Sequence, residues 1–141
     1  RVHGVITEYL KDCEVAFVDA DEMQVVKTMR ERKHIMAEAA DGYMVLPGGL
    51  GTYEEFFEIL VGRVLAEHNK PIGVVNDHGY FDPLIAMIDH GVKEQFIRPA
   101  ARDLIVVGDD PIHVLEELKA TDQKPISVNE LIPPLANKHP S

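Results

Sequence analysis

The order of its apolar segments constrains this chain more than any other feature. Short apolar runs at residues 2–6, 15–18, 42–46, 71–76 and 104–107 alternate with longer segments of helical period at 23–40, 52–69, 81–96 and 111–119. Strands alternating with such helices predict an α/β fold around a mainly parallel sheet, because parallel neighbours need a crossover of about a dozen residues or more. Two predicted helices open on an acid followed by proline, Asp82-Pro83 and Asp110-Pro111, an order suited to a helix N-terminus. Within 81–96, Leu84, Ile85, Ile88, Val92 and Phe96 recur every three or four residues, so that face is expected to pack on the sheet. A chain of 141 residues matches one domain that buries roughly two thirds of its unfolded surface. Residues 1–120 are read as that domain. Residues 121–141, with four prolines and no sustained period, are read as a tail that wraps the surface or stays loose.

Charge and composition exclude some classes of partner. A formal net charge of −10 argues against a nucleic-acid surface, although a local basic pocket can still take a small anion. No apolar run approaches the roughly 20 residues of a membrane span. The first residues show no secretory leader, and Cys13 is the single cysteine, so a reducing, cytoplasmic setting is expected. The chain starts at Arg1, directly in a β-like run, as a fragment of something longer would.

Between the predicted strand 42–46 and the long helix after it lies Pro47-Gly48-Gly49-Leu50-Gly51-Thr52. Three glycines in four residues allow positive φ and close backbone approach, and free N–H groups at a helix start favour an anion. Ligands of open α/β sheets bind at the carboxyl ends of strands, where this loop must lie. A tight strand-to-helix turn without a ligand is the alternative. No Lys-Ser/Thr pair closes the loop, so it is not a Walker loop. Glu54 and Glu55 follow, in what would be the first helical turn, and they read in two ways. Thr52-x-x-Glu55 matches a capping box, and acids near a helix start complement its dipole. A carboxylate near a bound phosphate is repelled, however, so a phosphate site that keeps two of them is expected to use one. Cleavage of a nucleotide's N-glycosidic bond is a reaction that uses both groups, because a carboxylate stabilises the cationic sugar or activates water.

In the predicted helix 23–40, Val25, Met29, Met36 and Ala40 form an apolar stripe whose intervening positions hold Arg32 and Lys33. Both cations can snorkel to solvent, with Arg30 and His34 on the same basic surface. Equally, the planar Arg32 fork can pair with Glu55 or hold a nucleotide's phosphate.

Met29-Arg30-Glu31-Arg32-Lys33, followed by Pro47 to Glu55, resembles the M-x-x-R-K and P-G-G-x-G-T-x-E-E pattern of the LONELY GUY family, cytokinin-activating phosphoribohydrolases long labelled lysine decarboxylases. The likeness continues through "KPIGVVNDHGYFDPLIAM", similar to the family's "KPVGLLNxxGYY", and covers roughly residues 1 to 118. The resemblance implies a Rossmann-like three-layer sandwich that binds a nucleotide, and hydrolysis of cytokinin riboside 5′-monophosphate or AMP to free base and ribose 5-phosphate. It implies no metal and no organic cofactor. By position it makes Arg32 and Glu55 the catalytic pair, with Met29, Lys33, Pro47, Gly48, Gly49, Leu50, Gly51, Thr52 and Glu54 binding substrate. Glu14, eighteen residues before Arg32, corresponds to a substrate-contacting glutamate of the family. It further implies a homodimer with the site near its interface. Relative to the family, the N-terminal strand and its glycine-rich segments are missing, and Arg30 stands where members have His. That departure keeps an alternative open, a nucleotide-binding or carrier module without turnover. A decarboxylase reading has no support in the residues, because nothing marks a lysine for a Schiff base.

Overall fold

In the computed structural model, which describes residues 1–13, 19–121 and 127, strands and helices alternate as the apolar pattern predicts. Their order is β1 (His3–Thr7), α1 (Glu8–Asp12), β2 (Glu22–Val26), α2 (Met29–Ala39), β3 (Tyr43–Val45), α3 (Leu50–Val64), β4 (Ile72–Val75), α4 (Asp82–Lys93), α5 (Pro99–Arg102), β5 (Ile105–Gly108) and α6 (Pro111–Ala120). A 3₁₀ turn, Asp77–Gly79, separates β4 from α4. Every strand pairing among the described residues is parallel. The fold is therefore α/β with parallel strands, of the Rossmann-like kind. The expected strand 15–18 lies outside the described residues, as does nearly all of the expected tail. Among the described residues no helix is long and apolar enough to cross a membrane. The chain comprises two compact units, Arg1–Ala40 and Asp41–Ser141.

In the first unit, β1 pairs with β2 from His3↔Glu22 to Thr7↔Val26, and Ile6, Thr7 and Val26 are buried. The helix expected over 23–40 is thus divided, because its first residues are strand. Val25 and Val26 are β-branched and gain a ladder of hydrogen bonds to β1, which outweighs the helical period of the apolar residues around them. Thr28 sets the break. Its Oγ1 accepts from Glu31 N at 3.1 Å, and the Glu31 carboxylate accepts from Lys27 N at 3.2 Å. This is a capping box that reaches back one residue beyond the cap. The expected inward stripe is also corrected: Met29 and Met36 are 42% and 41% exposed, whereas Arg32, Lys33 and Ile35 are half-buried.

The second unit is built on a sheet ordered β3-β4-β5, with Ile72 between Tyr43 and Ile105 and Val74 between Val45 and Val107. All four residues of β4 are buried, and none is polar, as a central parallel strand covered on both faces requires. On one face Ile72, Val74, Val45 and Ile105 pack with Phe56 of α3 and with Phe81, Leu84 and Ile88. On the other, Val75 packs with Val114 and Leu118 of α6. This unit is three layers deep, with α3 and α4 on one face and α6 on the other. Gly73 makes the second face possible: a Cβ there would lie 2.6 Å from Val114 Cγ1 and 3.0 Å from Leu118 Cδ1.

Asp110 caps α6, its carboxylate accepting from Ile112 N at 2.7 Å and His113 N at 2.9 Å. At α4 the cap is Phe81, and Asp82 instead accepts from Asn76 Nδ2 at 2.7 Å. The stripe expected through Phe96 stops short, because α4 ends at Lys93 and Gln95 takes φ 64°. Phe96 is left 83% exposed, and Ile97 packs against the core in its place.

Two substitutions test these packing arguments by urea unfolding. Gly73→Ala forces Val114 aside in a filled core and should lower stability by about 1–3 kcal/mol with an unchanged denaturant slope. Thr28→Ala removes one capping bond and should cost about 1 kcal/mol.

Candidate active site

The chain leaves the buried end of β3 at Val45 and runs through Leu46 to Gly49, which is the N-cap of α3. Gly49 has φ −91° and ψ −157°, and none of the loop glycines adopts the left-handed backbone that three glycines would allow. Their use is room. A Cβ at Gly48 would sit 2.2 Å from Thr52 Oγ1, so any other residue there would displace the Thr52 side chain. A Cβ at Gly49 or Gly51 would meet nothing within 4 Å, so internal packing explains neither. The Gly49 carbonyl accepts from Thr52 N at 3.0 Å and Tyr53 N at 3.3 Å, and Gly49 has no side chain with which to cap the helix start. A bare helix start at the carboxyl end of a parallel strand attracts an anion through its N–H groups and dipole.

The same start changes the reading of the two acids. Because α3 begins at Leu50, Thr52 is its third residue and Glu54 and Glu55 are its fifth and sixth, so the first turn carries no acid. Thr52 is not a cap, and the expected Thr52-x-x-Glu55 capping box does not form. Gly49 starts the helix without a side-chain cap, its carbonyl accepting from Thr52 N and Tyr53 N. Glu54 is exposed and Glu55 half-buried.

A second segment reaches this loop from the end of β4. Asn76 N donates to Gly108 O at 2.7 Å, and the Asn76 side chain accepts from Phe81 N at 2.7 Å while donating to Asp82. The turn so closed holds His78 at φ 50° and Gly79 at φ 72°, where a Cβ would fall 2.5 Å from Asp82 Oδ2. Tyr80 follows, and its hydroxyl donates to the Gly48 carbonyl at 2.5 Å. Its ring stands edge-on to buried Phe81 with centroids 5.0 Å apart, and Phe81 stands edge-on to Tyr53 at 6.1 Å. A hydrogen bond to Tyr80 holds the Tyr53 hydroxyl above the usual tyrosine pKa. Motif reading passed over Tyr80. The available signal was its place after Gly79, at the end of a strand whose apolar run marked it as central.

The cationic residues lie in the first unit. Met29 opens α2, and Arg32 Nη1 is 3.7 Å from Met29 Sδ. Arg32 Nε is buried, and it is the one buried side-chain nitrogen or oxygen among the described residues with no hydrogen-bond partner. Arg30 and His34 are exposed, as the solvated-surface reading has it, but half-buried Arg32 is not simply snorkelling. Lys33 is half-buried beside it in sequence. Glu14 lies outside the described residues.

A family model described as "Possible lysine decarboxylase" matches residues 1–118. A rice protein (Oryza sativa subsp. japonica) named a probable cytokinin riboside 5′-monophosphate phosphoribohydrolase is 41% identical over 119 residues, 84% of this chain and 49% of its own length. A Rhodococcoides fascians protein named a cytokinin riboside 5′-monophosphate phosphoribohydrolase is 44% identical over 110 residues, 77% of this chain and 56% of its own. One from Arabidopsis thaliana with the same descriptive name is 37% identical over 119 residues, again 84% and 56%. The chain thus spans about half the length of the curated relatives it matches. A match running from β1 into α6, with relatives of this similarity beside it, shows that the chain belongs to the possible lysine decarboxylase family and, within it, to the LONELY GUY group.

Proposed function

We propose that the protein carrying this chain hydrolyses the N-glycosidic bond of a nucleoside 5′-monophosphate, cytokinin riboside 5′-monophosphate or AMP, to give free base and ribose 5-phosphate. The observation that carries this reading is Glu55 in the second turn of α3, one turn beyond glycine backbone that internal packing does not require. The names of the relatives supply the substrate class. In this reading the N–H groups at Gly49, Leu50 and Gly51 take the phosphate, with Pro47, Gly48 and Thr52 shaping the loop. At about 5 Å a carboxylate opposes one phosphate charge by about 3 kcal/mol at a surface-like dielectric. With no capping role to explain it, Glu55 is best understood through the chemistry.

As the C1′–N bond breaks, its electron pair leaves with the base and positive charge grows on the ribose. A carboxylate stabilises that charge, then takes a proton from the water whose oxygen bonds to C1′, while the base gains a proton. Arg32 is assigned with Glu55 to the catalytic pair by its place in the family pattern, and its buried Nε without a hydrogen-bond partner is suited to a phosphate acceptor. Met29, Lys33, Glu54 and Glu14 are assigned to substrate binding by their place in the family pattern. We further propose that residues 1–120 act as one nucleotide-binding domain and that two copies form a homodimer with the site near its interface.

Glu55→Gln should reduce base release from AMP and N6-isopentenyl-AMP at least about a hundredfold, read by chromatography. Its melting temperature should stay within about 3 °C of the parent, because the lost group caps nothing. Undiminished release would remove Glu55 from the mechanism, and nucleotide binding without release from the parent protein would favour the carrier module. Arg32→Lys keeps the charge but loses the planar fork, and kcat/KM should fall about tenfold or more.

A further inference from the structure

Tyr80 touches the glycine loop at an atom that matters for any anion bound there. The carbonyl of Gly48 and the N–H of Gly49 belong to one peptide group, and in a planar trans peptide they point in opposite directions. A donor fixed on the oxygen therefore also fixes where the N–H is aimed. By drawing electron density toward the oxygen it makes that N–H a stronger donor. Tyr80 Oη lies 2.5 Å from Gly48 O, one residue before the N-cap of α3, which has no side-chain cap of its own. Phe81 stands edge-on to the Tyr80 ring and to the ring of Tyr53, the fourth residue of α3.

We propose that Tyr80 is a positioning residue for the phosphate of the nucleotide, acting through the Gly48–Gly49 peptide. The inference rests on the reading of the loop given under Proposed function. Without the Tyr80 hydroxyl the peptide is free to rotate its carbonyl toward the anion, setting acceptor against acceptor. That penalty exists only when a phosphate is present. Tyr80 is 45% exposed, so Tyr80→Phe keeps the ring against Phe81 and removes little else.

The test compares the parent protein and Tyr80→Phe by calorimetric titration with inorganic phosphate, ribose 5-phosphate and adenosine, by kcat and KM for AMP, and by melting without ligand. For Tyr80→Phe, affinity for both phosphate ligands should fall about tenfold and KM for AMP should rise by the same factor. Adenosine affinity, kcat and melting temperature should stay close to the parent values. Unchanged phosphate affinity in a folded Tyr80→Phe protein overturns the proposal. So does equal loss of adenosine and phosphate ligands with a lowered melting temperature, which marks a merely structural pin. If Tyr80→Phe does not fold, Tyr80→Met, which also lacks the hydroxyl at this 45% exposed position, decides by the same phosphate-selective loss. A parent protein that binds phosphate but does not cleave AMP removes the hydrolase reading and leaves this one standing, whereas a parent that binds neither phosphate ligand overturns it.

Discussion

Burial of β4 on both faces is the constraint on which the second unit depends. Ile72 and Val74 close one side against α3 and α4, and Gly73 and Val75 admit α6 on the other. A strand so enclosed has no water for its backbone groups, so they must be satisfied by neighbours on both edges, which β3 and β5 provide in parallel. Parallel pairing has a geometric consequence. The segments that leave β3 and β4 emerge at the same edge, and Gly48 and Tyr80 meet there although 32 residues separate them.

That edge shows how the loop departs from a simple turn. Packing accounts for Gly48, whose Cβ would collide with Thr52, and for Gly79, held at positive φ against Asp82. It does not account for Gly49 or Gly51. A glycine whose Cβ would meet nothing loses chain entropy on folding with no internal contact in return, so packing gives no reason for it. The acids of α3 gain meaning in the same way. A helix that starts at Gly49 makes the capping role of Glu55 impossible, and a carboxylate without a structural task stands a turn away from an anion-favouring backbone.

Particular residues show where pattern reading worked and where it did not. The apolar runs located the strands of the second unit, because a buried strand has few alternatives to Val and Ile. Asp110-Pro111 announced α6, because its capping bonds are local. The helix expected over 23–40 was misread at its start, because Val25 and Val26 satisfy a helical stripe and a strand ladder equally well and only pairing with β1 decides between them. The true marker was Thr28 with Glu31, a capping signature that Thr52 with Glu55 matches equally well without forming the cap. A signature of four residues cannot say which of two threonines begins a helix when a bare glycine can also do so. Phe96 and Ile97 make the same point at a helix end: the periodic position was Phe96, but a left-handed Gln95 turned Ile97 inward.

By itself the sequence determined the alternation of strand and helix, the location of the glycine loop and the chemistry of the side chains around it. Each of these rests on local conformational preference or on the identity of a few adjacent residues. Only the tertiary structure decided that α3 begins at Gly49, that two of the loop glycines face open space, that Arg32 Nε is buried without a partner, and that Tyr80 reaches the Gly48 carbonyl. Such features depend on which segments are brought side by side, and that follows from closing a sheet over a shared core rather than from any stretch of residues read alone.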